Sequence, residues 1–174
     1  MKLDLSQAYF HVPVAKTHRR FLRFSMSLPT SKVQFWQMTC LPFGLASALK
    51  VFSTLTNWVA LKLRERGMRV LVYLDDFLLV NQCPHMLQDH FCQATDLLRG
   101  LGWLINVEKS STESSQMLNF LGIQWNTRKN QKALPMEKLS KLDAFISTML
   151  KTPKWSVFHL QQIVGLLNFA SFVV

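Results

Sequence analysis

Acid is scarce in this chain. Its 174 residues hold 20 Lys plus Arg against 10 Asp plus Glu, a formal net charge of +10. Glycine and proline number six each and cysteine three, which excludes a collagen-like repeat and a small disulfide-stapled domain. A reducing compartment follows from so few cysteines, odd in number, and the expected location is intracellular, in cytoplasm or nucleus. No charged amino-terminal segment leads into an apolar run with a cleavage site. No apolar stretch reaches the ~18 residues of a membrane span, so no membrane partner is expected. Aromatics at 11% and hydrophobic residues at 49% exclude a disordered chain.

The surplus positive charge calls for a polyanion. Lys16, Arg19, Arg20, Arg23 and Lys32 have no acid among them, and Lys62, Arg64, Arg66 and Arg69 have only Glu65. Arg128, Lys129 and Lys132 form a third group, and Lys138, Lys141, Lys151 and Lys154 a fourth. From these clusters Arg19, Arg20, Arg23, Lys62, Arg64, Arg66, Lys138 and Lys141 are the candidate nucleic-acid contacts. The competing reading is ordinary solvated helix faces.

Strand-like segments fall at 2–5, 20–26, 33–39, 69–74, 77–80, 104–107 and 117–125, the last broken at Gly122. Residues 28–31 separate the second and third as a hairpin would. Helical spacing runs over 45–66, with Leu45, Leu49, Phe52, Leu55, Val59 and Leu63 on the inner stripe and Gly67 as the stop. A second helix is expected over 84–101, with Met86, Phe91, Ala94, Leu97, Leu98 and Leu101 inside. Two more are expected over 135–150 and 157–172. The order β-α-β-β-α-β is the split arrangement of ferredoxin-like sheets. The class is α+β: an antiparallel sheet with helices on one face, followed by a helical segment. The strand at 2–5 is met at once and the chain stops on apolar Phe172-Val173-Val174, so a longer polypeptide is expected.

Against this background the acids stand out. Asp75-Asp76 lies between two apolar runs and reads as a two-residue acidic turn, while Asp4 sits in Leu3-Asp4-Leu5. Adjacent carboxylates in an apolar frame repel and lose hydration, so they need a cation or a raised pKa. In this topology the first strand lies beside the central hairpin, which brings Asp4 to Asp75 and Asp76. Three carboxylates with Lys and Arg nearby suit two Mg²⁺ ions, or Mn²⁺, which bridge substrate phosphates. Two such ions ~4 Å apart can clamp the attacking and leaving oxygens of a phosphoryl transfer.

Tyr73-Leu74-Asp75-Asp76 resembles the Tyr-x-Asp-Asp motif of reverse transcriptases. Lys2-Leu3-Asp4-Leu5-Ser6-Gln7-Ala8-Tyr9-Phe10 resembles the first palm motif of that family, and Leu41-Pro42-Phe43-Gly44-Leu45-Ala46-Ser47-Ala48 the second. The stretch from Leu101-Gly102-Trp103 to Lys109 is similar to the fourth, and Asn119-Phe120-Leu121-Gly122 to the primer grip. Leu-Pro-Phe-Gly-Leu, with Arg64-Glu65-Arg66-Gly67 before Tyr-Leu-Asp-Asp-Phe, is most similar to DIRS-type retrotransposon enzymes. Leu49 stands where the family usually has Pro.

The resemblance implies an RNA-directed DNA polymerase, a nucleotidyltransferase. It would take an RNA or DNA template with primer and deoxynucleoside triphosphates. Residues 1–126 would be the palm, with a partial fingers insert at about 15–40, and 127–174 part of the thumb. The remaining fingers and any RNase H region would come from the longer polypeptide. Asp4, Asp75 and Asp76 would hold the metal ions, and Lys109 would protonate leaving pyrophosphate. Leu5, Gln7, Ala8, Tyr9, Phe43 and Gly44 would form the nucleotide site. Backbone amides near Gln7 and Ala8 would receive the triphosphate, and Tyr9 would exclude a 2′-hydroxyl. Phe120, Leu121 and Gly122 would place the primer. Two other readings stay open: a non-catalytic nucleic-acid-binding relic and a metal-dependent nuclease. Cys83, His85, His90 and Cys92 lack the paired spacing of zinc modules and read as ordinary residues.

The charge pattern predicts salt-sensitive, sequence-indifferent binding to a primer–template duplex. With about six phosphates neutralised, affinity should fall about a thousandfold between 50 mM and 200 mM salt. A flat salt titration by fluorescence anisotropy would show that these cations only solubilise the chain.

Overall fold

The computed structural model describes residues 1–27, 33–152 and 154–173. The expected turn at 28–31, together with Lys32, lies outside them. The chain divides into two units, Met1–Ser114 and Ser115–Val174.

In the first unit β1 (Lys2–Asp4), β4 (Arg69–Tyr73) and β5 (Asp76–Val80) form an antiparallel sheet in the order β1-β5-β4. Strand alternation assigns the faces. Leu3, Phe77, Leu79 and Val70 are buried. They pack with α1 (Ala48–Glu65) and α2 (Pro84–Gly100), through Phe52, Val59 and Leu63 on the first helix and Phe91, Ala94 and Leu98 on the second. Lys2, Asp4, Asp76, Leu71 and Tyr73 occupy the other face, which the register pairs Asp4↔Asp76, Leu71↔Leu78 and Tyr73↔Asp76 set side by side. Helices on one face of an antiparallel sheet is the expected class.

Four local expectations are corrected. The hairpin turn is Leu74-Asp75, not Asp75-Asp76, because Asp76 already pairs with Tyr73. That register sets Phe77 opposite Val72 and Leu79 opposite Val70 on the helix side, and leaves Leu74 in the left-handed region at φ 54°. The strand expected at 104–107 shrinks to one bridge, Leu5↔Ile105. Asn106 ends it: its side-chain oxygen accepts from Lys109 N at 3.2 Å and its carbonyl from Ser110 N at 3.0 Å, a local turn that takes the backbone out of the ladder. On α1 the inner stripe is Ala48, Phe52, Thr56, Val59, Ala60 and Leu63, whereas Leu49 and Leu55 are exposed. The buried face of the helix runs through these positions at i, i+4 and i+3 spacing, and the Thr56 hydroxyl on it donates to Phe52 O at 3.3 Å. On α2, Leu87 is buried, and Met86 and Leu101 are exposed.

The insert leaves and rejoins the sheet at a narrow neck. Val14 N donates to Thr39 O at 2.9 Å, Leu41 N to Val12 O at 2.8 Å, and Pro13 bridges Cys40. Beyond it lies a two-stranded ribbon, β2 (Arg23–Ser27) and β3 (Val33–Gln37), exposed along both strands. Arg20 to Leu22, expected in a strand, form a 3₁₀ turn over Arg19–Leu22.

The second unit is a three-stranded meander with two helices. β6 (Met117–Phe120) and β7 (Ile123–Asn126) join through Leu121-Gly122, with φ 52° and 74°, the double left-handed turn that suits a hairpin. A third strand, β8 (Gln131–Ala133), was not foreseen; three polar-biased residues carry no pattern. α3 (Met136–Lys151) and α4 (Val157–Val173) follow, and Ile123, Leu134 and Val173 make a small core. Among the described residues no helix is long and apolar enough to cross a membrane.

The face assignment predicts unequal costs on one sheet. Phe77 is fully buried and Leu71 is 57% exposed. Phe77→Ala should cost about 4 kcal/mol in urea denaturation, and Leu71→Ala less than about 1 kcal/mol. Equal losses would mean that the helices do not cover the Phe77 face.

Candidate active site

Asp4 ends β1 and is clamped on both sides. Its amide donates to Ser110 Oγ at 3.0 Å, and its carbonyl accepts from Asn106 N at 2.8 Å. Leu5 N donates to Asp75 O at 3.2 Å, tying the strand end to the hairpin turn. Ser6 N then bonds Leu104 O at 2.8 Å, Gln7 takes the left-handed conformation, and Ala8–His11 close a 3₁₀ turn. His11 lies between two carbonyls, with Nε2 at 3.1 Å from Ser6 O and Nδ1 at 3.2 Å from Gly102 O. These contacts hold the Ser6–Tyr9 turn beside Asp4.

A cavity of about 550 Å³ opens there. Asp4, Leu5, Ser6, Gln7, Ala8, Tyr9, Phe43, Leu74, Asp75, Asn106 and Lys109 line it. Eight of these lining residues were expected on family grounds as nucleotide or catalytic groups: Asp4, Leu5, Gln7, Ala8, Tyr9, Phe43, Asp75 and, as the proton donor, Lys109. Gly44, expected at the border, lies outside the lining, and so does Asp76. Tyr9 stacks on Phe52 at 4.4 Å and lies 4.9 Å from Phe43, while Phe10 meets Phe43 edge-on at 5.4 Å. The Tyr9 ring is thus both a cavity wall and part of the packing on α1. Burial, and then the Asp75 charge, push its hydroxyl above the ordinary phenol range.

The three acids do not meet at one point. Asp4 and Asp76 face each other across β1 and β5, and Asp75 sits in the turn. The Lys2 ammonium is 2.9 Å from Asp76 Oδ1 and 4.0 Å from Asp4 Oδ2. Two residues before Asp4 on an alternating strand, it shares the acids' face. Among the described residues no group of three or more His, Cys, Asp or Glu side chains is gathered closely enough to hold a metal ion. The donor set nonetheless fits a cation. Asp76 Oδ1 is buried and faces the Lys2 ammonium at 2.9 Å without the geometry of a hydrogen bond, leaving a carboxylate that a cation can still bind. Burial, then Asp76, raise the Asp4 carboxyl above its usual range; Lys2 and Lys109 oppose this, and Asp75 adds to it. One ammonium leaves these carboxylates incompletely neutralised.

The remaining expected residues are dispersed. Phe120, Leu121 and Gly122 form the β6–β7 turn of the second unit, with Trp125 Nε1 donating to Phe120 O at 3.3 Å. A side chain at Gly122 would collide with the Lys138 side chain, whose ammonium lies over the Phe169 ring at 4.1 Å. Lys141 pairs with Glu137, and Lys62 with Glu65. Arg64, a candidate for nucleic acid, donates through Nε and Nη2 to Val70 O at 3.1 and 2.7 Å, closing the outer edge of β4. Arg19 donates to Val14 O, Arg23 to Gln37 Oε1, and Arg20 covers the Phe21 ring. Lys2, Asn106, Ser110 and His11 were missed. The signal for Lys2 was its i−2 spacing from Asp4, and for Asn106 the turn-forming Asn three residues before Lys109.

An antiparallel sheet backed by two helices, with carboxylates at the mouth of a cavity off its first strand, is the architecture of a polymerase palm. The chain belongs to the reverse transcriptase (RNA-dependent DNA polymerase) family, whose model matches residues 1–125. It is 27% identical to Protein P of duck hepatitis B virus, in isolate Shanghai/DHBVQCA34 and in strain China, over 97% of this chain and 21% of theirs. The chain thus spans about a fifth of the length of the curated relatives it matches. Its fold is similar to the foamy viral protease-reverse transcriptase solved with RNA/DNA hybrid, at TM-score 0.79 and 21% identity, covering 97% of this chain and 21% of that one. A foamy viral structure with double-stranded DNA gives the same TM-score and identity, covering 32% of its chain.

The raised Asp4 carboxyl has a consequence for stability. The folded chain keeps this proton at pH values where the unfolded chain, with its ordinary value of 3.8, has released it. Folding therefore takes up a proton, and metal-free stability falls as pH rises from about 4 through the folded value. Asp4→Asn should flatten that decline in thermal melts with chelator present; an unchanged slope would show that Asp4 is not the group responsible.

Proposed function

We propose that this chain is the catalytic palm, with part of the thumb, of an RNA-directed DNA polymerase that adds deoxynucleotides to a primer 3′-hydroxyl. The observation that carries the reading is the joint presence of Asp4, Asp75, Tyr9, Phe43 and Lys109 around one cavity in a chain of this family. Residues 1–126 are the palm, in keeping with the family match to residue 125, with the fingers insert entered at the Val14–Thr39 neck. Residues 127–174 are the thumb part. Within the family we place the chain with DIRS-type retrotransposon enzymes, on Leu41-Pro42-Phe43-Gly44-Leu45 and Arg64-Glu65-Arg66-Gly67. A template of RNA or DNA, a primer and deoxynucleoside triphosphates are its partners; the solved foamy viral relatives carry RNA/DNA hybrid and double-stranded DNA.

Asp4 and Asp75, with Asp76 behind them, would hold Mg²⁺ or Mn²⁺. Bound there, a divalent cation would acidify the primer hydroxyl and neutralise the triphosphate. The chain's own residues do the rest. The Ser6–Tyr9 turn lies along the cavity where the triphosphate runs, with backbone amides of Gln7 and Ala8 as donors. Phe43 and Tyr9 form an aromatic wall against the nucleotide, and the Tyr9 ring, fixed by Phe52, excludes a 2′-hydroxyl sterically. Lys109, placed by the Asn106 turn, gives its proton to the departing pyrophosphate oxygen.

Primer extension tests the reading in a protein that includes the fingers region. Asp75→Asn should lower nucleotide addition about a thousandfold, ~4 kcal/mol of barrier, with duplex binding retained. Tyr9→Ala should raise the incorporation of ribonucleotides relative to deoxyribonucleotides. Undiminished extension by Asp75→Asn would sink the polymerase reading. Activity with an unmoved sugar ratio would leave Tyr9 a packing residue only.

A further inference from the structure

Among the described residues Lys2 is the cation that lies within ion-pair distance of both Asp4 and Asp76 on their shared sheet face. The alternation that buries Leu3 sends Lys2 and Asp4 to the same side of β1, and the Asp4↔Asp76 pair brings the second carboxylate directly opposite. Like charges facing each other across an antiparallel pair destabilise it. The ammonium answers that repulsion unevenly, at 2.9 Å from Asp76 Oδ1 and 4.0 Å from Asp4 Oδ2. The pair is enclosed, with the two side chains of the shorter contact 18% and 21% exposed, so solvent screens it weakly. The cavity lining shows the same asymmetry: Asp4 and Asp75 border it, and Asp76 does not.

We propose that Lys2 is a positioning residue of this site. Its ammonium holds Asp76 back on the sheet and neutralises the cross-strand carboxylate pair in the absence of a divalent cation, so that Asp4 and Asp75 are the pair presented to the cavity. Lys2 thereby competes with the divalent cation for Asp76. The site becomes one in which the sheet is assembled before metal arrives, and metal binding works against a resident charge. This inference builds on the polymerase reading only for the use of the metal; the Lys2–Asp76 coupling itself is independent of any reaction.

Four variants of the full chain, Lys2→Met, Lys2→Arg, Asp76→Asn and the double Lys2→Met/Asp76→Asn, separate the possibilities. Thermal melts with chelator present give the coupling, and Mn²⁺ binding by electron paramagnetic resonance gives the competition. Lys2→Met should lower the melting temperature by about 3 °C or more, and Lys2→Arg should restore most of the loss. In the Asp76→Asn background the same Lys2→Met change should cost less than about 1 °C. Lys2→Met should also bind Mn²⁺ about threefold to tenfold more tightly, since removing a neighbouring cation favours the metal. If Lys2→Met does not fold but the double variant does, the proposal stands. Equal destabilisation in both backgrounds, failure of both to fold, or an unchanged Mn²⁺ affinity overturns it. A wild-type chain that shows the coupling but no nucleotide addition with fingers restored would overturn the polymerase reading and leave the Lys2 role intact.

Discussion

The pairing of Asp4 with Asp76 across two antiparallel strands is the constraint on which the site depends. Neither carboxylate chooses that position. Leu3 and Phe77 pair one step along the same ladder, and both are buried against the helices. The free energy of hiding those two side chains, a few kcal/mol, fixes the register. The period-two alternation then delivers the acids to the open face whatever they cost each other. Apolar packing on one side of the sheet thus sets the electrostatics on the other. The same register leaves Leu74 in the left-handed region, a conformation that costs a branched residue about 1 kcal/mol and persists because its neighbours determine it.

Much of this was legible in the sequence, and the reasons differ by residue. Asp4, Asp75 and Asp76 stood out because charge was rare and their surroundings apolar. The order of strands and helices followed from periodicity, and Gly67 and Gly122 marked turns that the structure does make. The hairpin turn was read one residue late because two acids look like turn residues, whereas side-chain type does not report register. The strand at 104–107 was overcalled because Leu-Ile-Val spacing says nothing of an Asn that bonds its own backbone. Leu49 and Leu55 were placed inside because their side chains are apolar, whereas the buried face of the helix runs through Ala48, Thr56 and Ala60, whose small or polar side chains carry little hydrophobic signal.

The basic residues teach the opposite lesson. Counting charges led to the expectation of a polyanion partner but could not separate cations available for a ligand from those already committed. Arg64 closes the edge of β4, Arg19 braces the neck of the insert, and Lys2 works within the site itself. A guanidinium bonded to a backbone carbonyl is part of the scaffold, and its charge is a by-product of its hydrogen-bonding geometry.

The strand that carries Asp4 is three residues long, with a bridge to Ser111 at its first residue, Lys2, and a bridge between Leu5 and Ile105 just past its last. It has no slack. Adding or deleting one residue between Lys2 and Asp4 would break the alternation that sets them on one face, turning either the ammonium or the carboxylate toward the helices. Point substitutions here are graded, each with its own partial loss, but a change of length is all or nothing. Across related chains the length of this stretch should therefore be held as strictly as Asp4 itself, while the insert beyond the neck, which hangs from a closed pair of hydrogen bonds, can gain or lose residues without disturbing the face on which Asp4 sits.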